Sequence, residues 1–301
     1  MQSSKPSLHG IWLPLITPFL NDELDETSLR RLVQHYASQP IDGLILGATT
    51  GEGLTLDHAE AERLVKVVKE EAERTGWQIP LYLGLDGSHT REVVKDVERT
   101  ALWGIDGYLI ACPYYTRPSQ QGLYEHFVAL ANSASRLIMI YNIPYRTGVN
   151  MSNETMLRLA EHPNIIGVKD CCNDPAQSFD LLRYRQSGFT VLTGEDAQFF
   201  NAITQGADGG ILASAHINAS AFASVRHLLG EGDWKRALEN WRLLVDLPRL
   251  LFAEPSPGPV KHWLWRAGLI DSPEVRLPMT AISEGLAARI DDLVFSMSKE
   301  H

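Results

Sequence analysis

One lysine ends an apolar stretch of the sequence, "NIIGVKDCC" at residues 164–172, where a charged side chain is unexpected. The branched apolar residues before it are typical of a buried β-strand, and strand alternation places Lys169 on the same face as Gly167, which leaves room beside it. Burial lowers the pKa of a lysine and makes its amine a nucleophile, as Schiff-base chemistry with a carbonyl substrate requires. A salt bridge to Asp170, or a side chain that extends to solvent, accounts for the same residue without chemistry.

A tyrosine and an arginine lie at and after the end of the preceding predicted strand, in "YNIPYRTG" at residues 141–148. Tyr141 ends that strand, so in a parallel sheet it neighbours Lys169 and its hydroxyl could transfer the protons of imine formation. Arg146 lies in the loop that follows, and its planar guanidinium suits a carboxylate. The alternatives are a hydrogen-bonded core tyrosine and a solvated loop arginine.

Hydroxyl side chains follow two further predicted strands. Thr49 and Thr50, in "GATTGEG" (47–53), could bind a small carboxylate, or they belong to an ordinary glycine turn with a threonine cap. Tyr115, in "CPYYTRPSQQGLYEHF" (112–127), could reach a site in its own subunit or in a neighbouring one, or it packs at an interface.

Carboxylates and histidines near predicted strand ends allow a metal site as the alternative chemistry; they are Asp86, His89, Glu195, Asp196 and His216. The HxH and HExxH spacings of metal sites are missing from this sequence. A metal site also leaves Lys169 unexplained, so we favour a metal-free reaction.

Eight short apolar segments alternate with amphipathic helical patterns and must position these residues. They run almost continuously apolar, as parallel strands covered on both faces do. The segments span residues 10–18, 42–50, 79–86, 106–113, 136–144, 164–171, 189–196 and 209–215.

Eight strand–helix units predict an α/β fold, a (β/α)8 TIM barrel, with catalytic groups at the C-terminal ends of the strands. The phosphate-binding GxGxxG and GxxxxGK[ST] loops of a doubly wound sheet are missing. We expect the barrel over residues 1–220 and a helical C-terminal extension over 221–301, with "EPSPGPVK" (254–261) as a turn-rich connector.

The bulk composition limits the partners. The 301 residues carry a formal net charge of −10, which argues against nucleic acid and acidic membrane surfaces as partners. No apolar run approaches the roughly 20 residues of a membrane span, and the start has no apolar signal-peptide core. Three cysteines form no disulfide framework, so we expect a cytoplasmic protein.

Four motifs, in this order and spacing, resemble the dihydrodipicolinate synthase/N-acetylneuraminate lyase family. They are "TTGE" (49–52), "PYYTRPSQQGLYEHF" (113–127), "YNIPYRTG" (141–148) and "GVKD" (167–170). The likeness extends from "PLITPF" (14–19) to "RLPMT" (276–280). The resemblance implies a (β/α)8 barrel and a class I pyruvate aldolase that uses no metal or cofactor and assembles as a homotetramer, a dimer of dimers.

The resemblance also implies a role for each matching residue. Lys169 would form the Schiff base with pyruvate, and Tyr141 would donate and accept protons there. Thr49 and Tyr115 would complete a proton relay with Tyr141, Tyr115 being lent by the adjacent subunit.

Carboxylate recognition would fall to three further positions: Thr50 and the backbone of Ile211 for pyruvate, and Arg146 for the second substrate. That substrate would be L-aspartate 4-semialdehyde, giving 4-hydroxy-tetrahydrodipicolinate for lysine and diaminopimelate biosynthesis. The alternative is another Schiff-base pyruvate lyase of the family, acting on 2-keto-3-deoxy sugar acids or 4-hydroxy-2-oxoglutarate. Arg146 favours L-aspartate 4-semialdehyde as the second substrate, since sister aldolases for sugar acids tend to lack that arginine. An inactive barrel that only binds a metabolite is disfavoured because every reactive position is present. "KDCCND" after the lysine departs from the common Lys-Glu-Ala pattern.

Overall fold

The structure, a computed structural model, describes residues 8–297. The strands in this range are β1 Gly10–Pro14, β2 Phe19–Leu20, β3 Glu23–Leu24, β4 Gly43–Leu46, β5 Leu81–Leu85, β6 Gly107–Ala111, β7 Leu137–Asn142, β8 Ile165–Asp170, β9 Thr190–Thr193 and β10 Gly209–Ile211. The helices are α1 Glu26–Tyr36, α2 His58–Thr75, α3 Thr90–Thr100, α4 Gln120–Ser133, α5 Pro144–Thr147, α6 Asn153–Ala160, α7 Pro175–Tyr184, α8 Phe199–Thr204, α9 Ala215–Gly230, α10 Trp234–Leu244, α11 Asp246–Leu251, α12 Gly258–Arg266 and α13 Glu284–Met297.

Eight of the strands close into a barrel in the order β1-β10-β9-β8-β7-β6-β5-β4. Each of these strands falls inside one of the eight predicted apolar segments, and helices separate them along the chain. The predicted (β/α)8 TIM barrel is therefore confirmed. The short antiparallel pair of β2 and β3 was not predicted, although Asn21 and Asp22, both with positive φ, are residues that favour such a two-residue turn.

The helices start and pack as their sequences predict. Asp57 and Glu60 form both halves of a capping box at the start of α2, which satisfies two backbone N–H groups that a helix end leaves unpaired. On α1, Leu29, Leu32 and Tyr36 form one buried face. Their spacing of three and four residues puts them on the same side of the helix, and this determines which face packs inward.

The chain packs as two compact units. The first comprises residues 8–12 and 80–211, and it holds the strands that carry Tyr141 and Lys169. The second comprises residues 13–79 and 212–297, and it holds the Thr49–Thr50 turn and α9 to α13.

The predicted helical extension contains α10 to α13 among the described residues, and α9 continues through the predicted boundary between residues 220 and 221. That boundary stays a prediction. The connector prediction for residues 254–261 was wrong at its end, because α12 already begins at Gly258. Proline is tolerated at the second helical position, where Pro259 lies, since its missing N–H has no partner within the helix there. None of the helices within residues 8–297 has the length and apolar character that a membrane crossing requires.

Candidate active site

Lys169 lies on β8 with its side chain buried, only 5% exposed. Burial in the apolar interior lowers the pKa of its amine below the ordinary lysine value of 10.5, because removal from water disfavours the charged form. Among its charged neighbours, Asp196 and Glu195 raise the pKa of this amine, whereas Arg146 lowers it. The site therefore favours a neutral amine at Lys169, which is the nucleophilic form.

Tyr141 lies beside Lys169, as the strand ends predicted. The two residues are register partners in the parallel pairing of β7 and β8, and the Lys169 Nζ lies 4.3 Å from the centre of the Tyr141 ring. The tyrosine is 5% exposed, so both side chains are shielded from bulk water. A phenol and an amine in this arrangement can exchange protons with the same bound molecule.

The salt bridge between Lys169 and Asp170 is not formed. Successive strand residues point to opposite faces, and the Asp170 carboxylate accepts hydrogen bonds from the Ser178 hydroxyl at 2.6 Å and the Cys172 N–H at 3.0 Å. Burial raises the pKa of Asp170, and these two hydrogen bonds act against that shift. The structural alternative that pairs these neighbours is therefore wrong.

Gly194 provides the room for the Lys169 side chain. A Cβ atom at Gly194 would lie 2.4 Å from the Lys169 Cε and 2.4 Å from the Cys171 Sγ. The sequence predicts that Gly167 makes this room, but the nearest atoms to a Cβ at Gly167 belong to Thr190, at 2.5 Å. The glycine on β8 thus allows β9 to approach, while Gly194, after β9, borders the lysine.

A hydrogen-bonded group beside Lys169 escaped the sequence prediction. The Tyr145 hydroxyl donates to the Glu195 Oε1 at 2.8 Å, and the Glu195 carboxylate raises the pKa of the Lys169 amine, against the lowering by burial. Cys171 is 1% exposed, and burial raises its thiol pKa well above the ordinary value. The signal was present in two places: Glu195 lies at the polar end of the predicted strand segment 189–196, and Tyr145 directly precedes Arg146.

Arg146 and Tyr115 are exposed in this unit. The Arg146 guanidinium lies 5.9 Å from the centre of the Tyr145 ring, on the short helix α5 that follows β7 rather than in the predicted loop. Tyr115 is 91% exposed and has a positive φ of 67°, with its N–H donating to the Thr147 carbonyl at 3.1 Å. Its ring is therefore turned outward on this chain. Ile211 is buried and ends β10 opposite Trp12.

Thr49 and Thr50 lie in the second unit, in a 3-10 turn over Thr49–Gly51 soon after β4. The glycines around them are required by close backbone packing. A Cβ at Gly53 would lie 1.7 Å from the Gly47 carbonyl oxygen, and one at Gly51 would lie 2.9 Å from that of Leu15. The turn can adopt this shape only with glycine at both positions.

The residues weighed as metal ligands have other contacts. The His216 Nε2 accepts a hydrogen bond from the Ile16 N–H at 3.2 Å, and its Nδ1 lies 2.7 Å from the Ala213 carbonyl oxygen. His89 caps the start of α3, and burial raises the pKa of Asp86 to about 6. Within residues 8–297, no group of three or more histidine, cysteine, aspartate and glutamate side chains is arranged to hold a metal ion.

Comparisons with known proteins agree on one family. Residues 7–295 match the model of the dihydrodipicolinate synthetase family. The 4-hydroxy-tetrahydrodipicolinate synthase 2 of Clostridium acetobutylicum is 41% identical over 284 residues, which cover 94% of this chain and 98% of that protein.

Solved structures of the same kind superpose on the chain. A dihydrodipicolinate synthase from Aquifex aeolicus matches with a TM-score of 0.91 and 32% identity, covering 96% of this chain and 98% of the other. A chloride-inhibited dihydrodipicolinate synthase from Acinetobacter baumannii, in complex with pyruvate, also matches with a TM-score of 0.91 and 32% identity, covering 97% and 99%. The sequence comparisons and the structural superpositions therefore indicate the same family.

Proposed function

This chain belongs to the dihydrodipicolinate synthetase family, and from that membership we propose that it condenses pyruvate with L-aspartate 4-semialdehyde to give 4-hydroxy-tetrahydrodipicolinate. The reaction is that of a lyase of the class I aldolase type, and it supplies lysine and diaminopimelate biosynthesis. The observation that carries the proposal is the buried amine of Lys169, with its lowered pKa, beside the Tyr141 ring.

The neutral amine of Lys169 attacks the keto carbon of pyruvate and forms a carbinolamine, which loses water to give a protonated imine. The imine withdraws electrons, so the methyl group of pyruvate releases a proton and becomes an enamine carbon. That carbon attacks the aldehyde of the second substrate, whose own amine then attacks the imine carbon. Ring closure releases Lys169 as a free amine, and the net reaction forms one water.

Tyr141 is the proton donor and acceptor in this scheme. Carbinolamine formation, loss of water and protonation of the new alkoxide each move a proton, and a phenol near the reacting nitrogen can serve all three steps. The 4.3 Å separation between the Lys169 Nζ and the centre of the Tyr141 ring supports this role for Tyr141. Thr49 and Tyr115 complete the relay in the proposal.

Substrate carboxylates are bound at three positions in the proposal. Thr50 and the backbone of Ile211 hold that of pyruvate, and Arg146 holds that of the semialdehyde. An exposed guanidinium on the short helix after β7 can form a two-pronged contact with a carboxylate as it arrives.

We infer a homotetramer, a dimer of dimers, in which Tyr115 completes the site of an adjacent subunit. The 91% exposure of this tyrosine on the single chain supports the inference, because a large aromatic ring held outward by an αL backbone suits a partner surface. Cytoplasmic location is part of the same proposal and fits three free thiols.

The Schiff base is tested by trapping. Incubation with pyruvate and borohydride reduces the imine to a stable secondary amine, and mass spectrometry should locate that adduct on Lys169. An adduct elsewhere, none at all, or activity abolished by a chelator contradicts the proposed mechanism.

The second substrate is tested by competition among aldehydes. Steady-state rates with L-aspartate 4-semialdehyde should exceed those with sugar-derived aldehydes and glyoxylate, and Arg146→Ala should raise the KM for the semialdehyde while the pyruvate adduct still forms. Faster turnover with another aldehyde assigns the chain to a different pyruvate lyase reaction of the same family.

A further inference from the structure

A buried lysine in the second unit contacts the turn that carries Thr49 and Thr50. Lys261, on α12, is 0% exposed, and its Nζ forms an ion pair with the Glu52 Oε2. The same Nζ donates a hydrogen bond to the Glu274 carbonyl oxygen at 2.7 Å. Burying two charges in this way costs solvation, and their close pairing offsets that cost.

Glu52 is the residue through which this contact reaches the turn. It follows Thr49–Gly51 directly, has a left-handed backbone with φ 52° and ψ 37°, and its N–H donates to the Thr49 carbonyl at 3.2 Å. The left-handed backbone conformation is unfavourable for a residue other than glycine, so neighbouring contacts must stabilise it. The ion pair with Lys261 is one such restraint.

Arg276 supplies a second restraint on the same side chain. Its backbone N–H donates to the Glu52 Oε1 at 2.9 Å, and its guanidinium donates to the Thr55 carbonyl at 3.0 Å and pairs with Glu60. Both cations contact the ring of Phe19: its centre lies 4.3 Å from the Lys261 Nζ and 4.1 Å from the Arg276 guanidinium carbon.

These contacts hold the glutamate of "TTGE", whose position the proposed chemistry leaves without a role. We propose that Lys261 is a positioning residue for pyruvate: through Glu52 it holds the Thr49–Thr50 turn in the shape that binds the pyruvate carboxylate. This inference rests on the proposed function of the chain, because Thr50 is a carboxylate ligand only in that reaction.

The charge of Lys261 adds a pH dependence to this arrangement. The pKa of Lys261 is lowered to about 8, mainly by burial. The carboxylates of Glu52 and Glu274 raise this pKa, and Arg276 lowers it. Above that pH, the amine loses its proton and the ion pair with Glu52 is lost. The turn then loses its buried restraint, and pyruvate binding weakens as the pH rises.

The test compares the wild type with the double variant Glu52→Gln/Lys261→Met. Removing both charges avoids leaving one of them buried and unpaired, and the glutamine oxygen can still accept from the Arg276 N–H. Arg266→Met is the matched control, a cation on the same helix that is 45% exposed and pairs with Asp291. The measurement is the pyruvate concentration that gives half-maximal borohydride-trapped adduct on Lys169.

At about pH 7 the double variant should need at least about tenfold more pyruvate than the wild type, the loss of one hydrogen bond to a charged group. The difference should shrink to about twofold or less at about pH 10, where Lys261 is neutral in the wild type. Arg266→Met should match the wild type throughout.

A folded double variant with the wild-type half-saturation concentration at about pH 7 overturns the inference and leaves the proposed reaction standing. Absence of any adduct on Lys169 in the wild type instead removes the proposed reaction itself. If the double variant does not fold, the wild type alone decides: a half-saturation concentration that stays flat from about pH 7 to about pH 10 overturns the role of Lys261.

Discussion

Replacement of Gly194 by alanine should displace the reactive lysine without disturbing the fold. The new Cβ would lie 2.4 Å from the Lys169 Cε and 2.4 Å from the Cys171 Sγ. Both are ends of side chains that can move, and the φ of Gly194 lies outside the left-handed region, so the backbone accepts alanine. The folding cost should therefore be small, and the displacement should fall on the catalytic amine.

The size of the effect follows from the contact distance. Carbon atoms in contact lie about 3.5–4.0 Å apart, so the Lys169 Cε must retreat by about 1 Å or more. A misplacement of about 1 Å at a reacting group costs on the order of 100-fold in rate. That factor corresponds to about 2.7 kcal/mol of transition-state stabilisation.

The assay pairs steady-state kinetics with borohydride trapping of the pyruvate adduct, and thermal unfolding checks the fold. Gly230→Ala is the matched control, because a Cβ at the end of α9 meets no heavy atom within 4 Å. It should keep wild-type activity. A folded Gly194→Ala enzyme within about threefold of the wild-type kcat/KM would refute the reasoning that this glycine makes room for the lysine.

Three further outcomes are expected. Lys169→Met should abolish the adduct yet raise the free energy of unfolding by roughly 0.5–2 kcal/mol at neutral pH. Above the lowered pKa of Lys169 the unfolded wild type binds more protons than the folded wild type, so the wild type gains stability with pH and the advantage of the variant in chemical denaturation should shrink as the pH approaches 10.5. An advantage that grows with pH contradicts a lowered lysine pKa. Tyr141→Phe should lower kcat by roughly 100-fold or more while the enzyme stays folded, and a kcat within about threefold of the wild type removes the tyrosine from proton transfer. Gly53→Ala, whose Cβ would lie 1.7 Å from the Gly47 carbonyl oxygen, should lower the free energy of unfolding by about 3 kcal/mol, and full stability in a denaturation curve contradicts the packing of this turn.

The barrel and the pair at its centre could be predicted because both depend on local patterns. Apolar runs of strand length identify the strands, and polar residues at the ends of six of these runs mark the end of the barrel where side chains can react. Tyr141 and Lys169 end consecutive strands, so their adjacency in the register follows from chain order alone.

The remaining contacts could not be predicted, because they join residues far apart in the sequence through side-chain packing. Glu52 and Lys261 are separated by most of the chain, and neither carries a local pattern that points to the other. Gly194 was passed over for a similar reason. Gly167 is close to the lysine in sequence and on the same strand face, whereas Gly194 reaches it only through the pairing of neighbouring strands.

The buried thiol of Cys171 gives the enzyme a built-in vibrational reporter. The S–H stretch absorbs in a region of the infrared spectrum where other protein groups are nearly silent, and its frequency falls as the thiol donates a stronger hydrogen bond. The Cys171 Sγ lies near the Lys169 side chain, since a Cβ at Gly194 would lie 2.4 Å from both, so each change of charge at the amine should shift that band. Cys112, also fully buried, offers a second band as an internal reference, so the electric field at the reacting nitrogen can be followed in unlabelled protein.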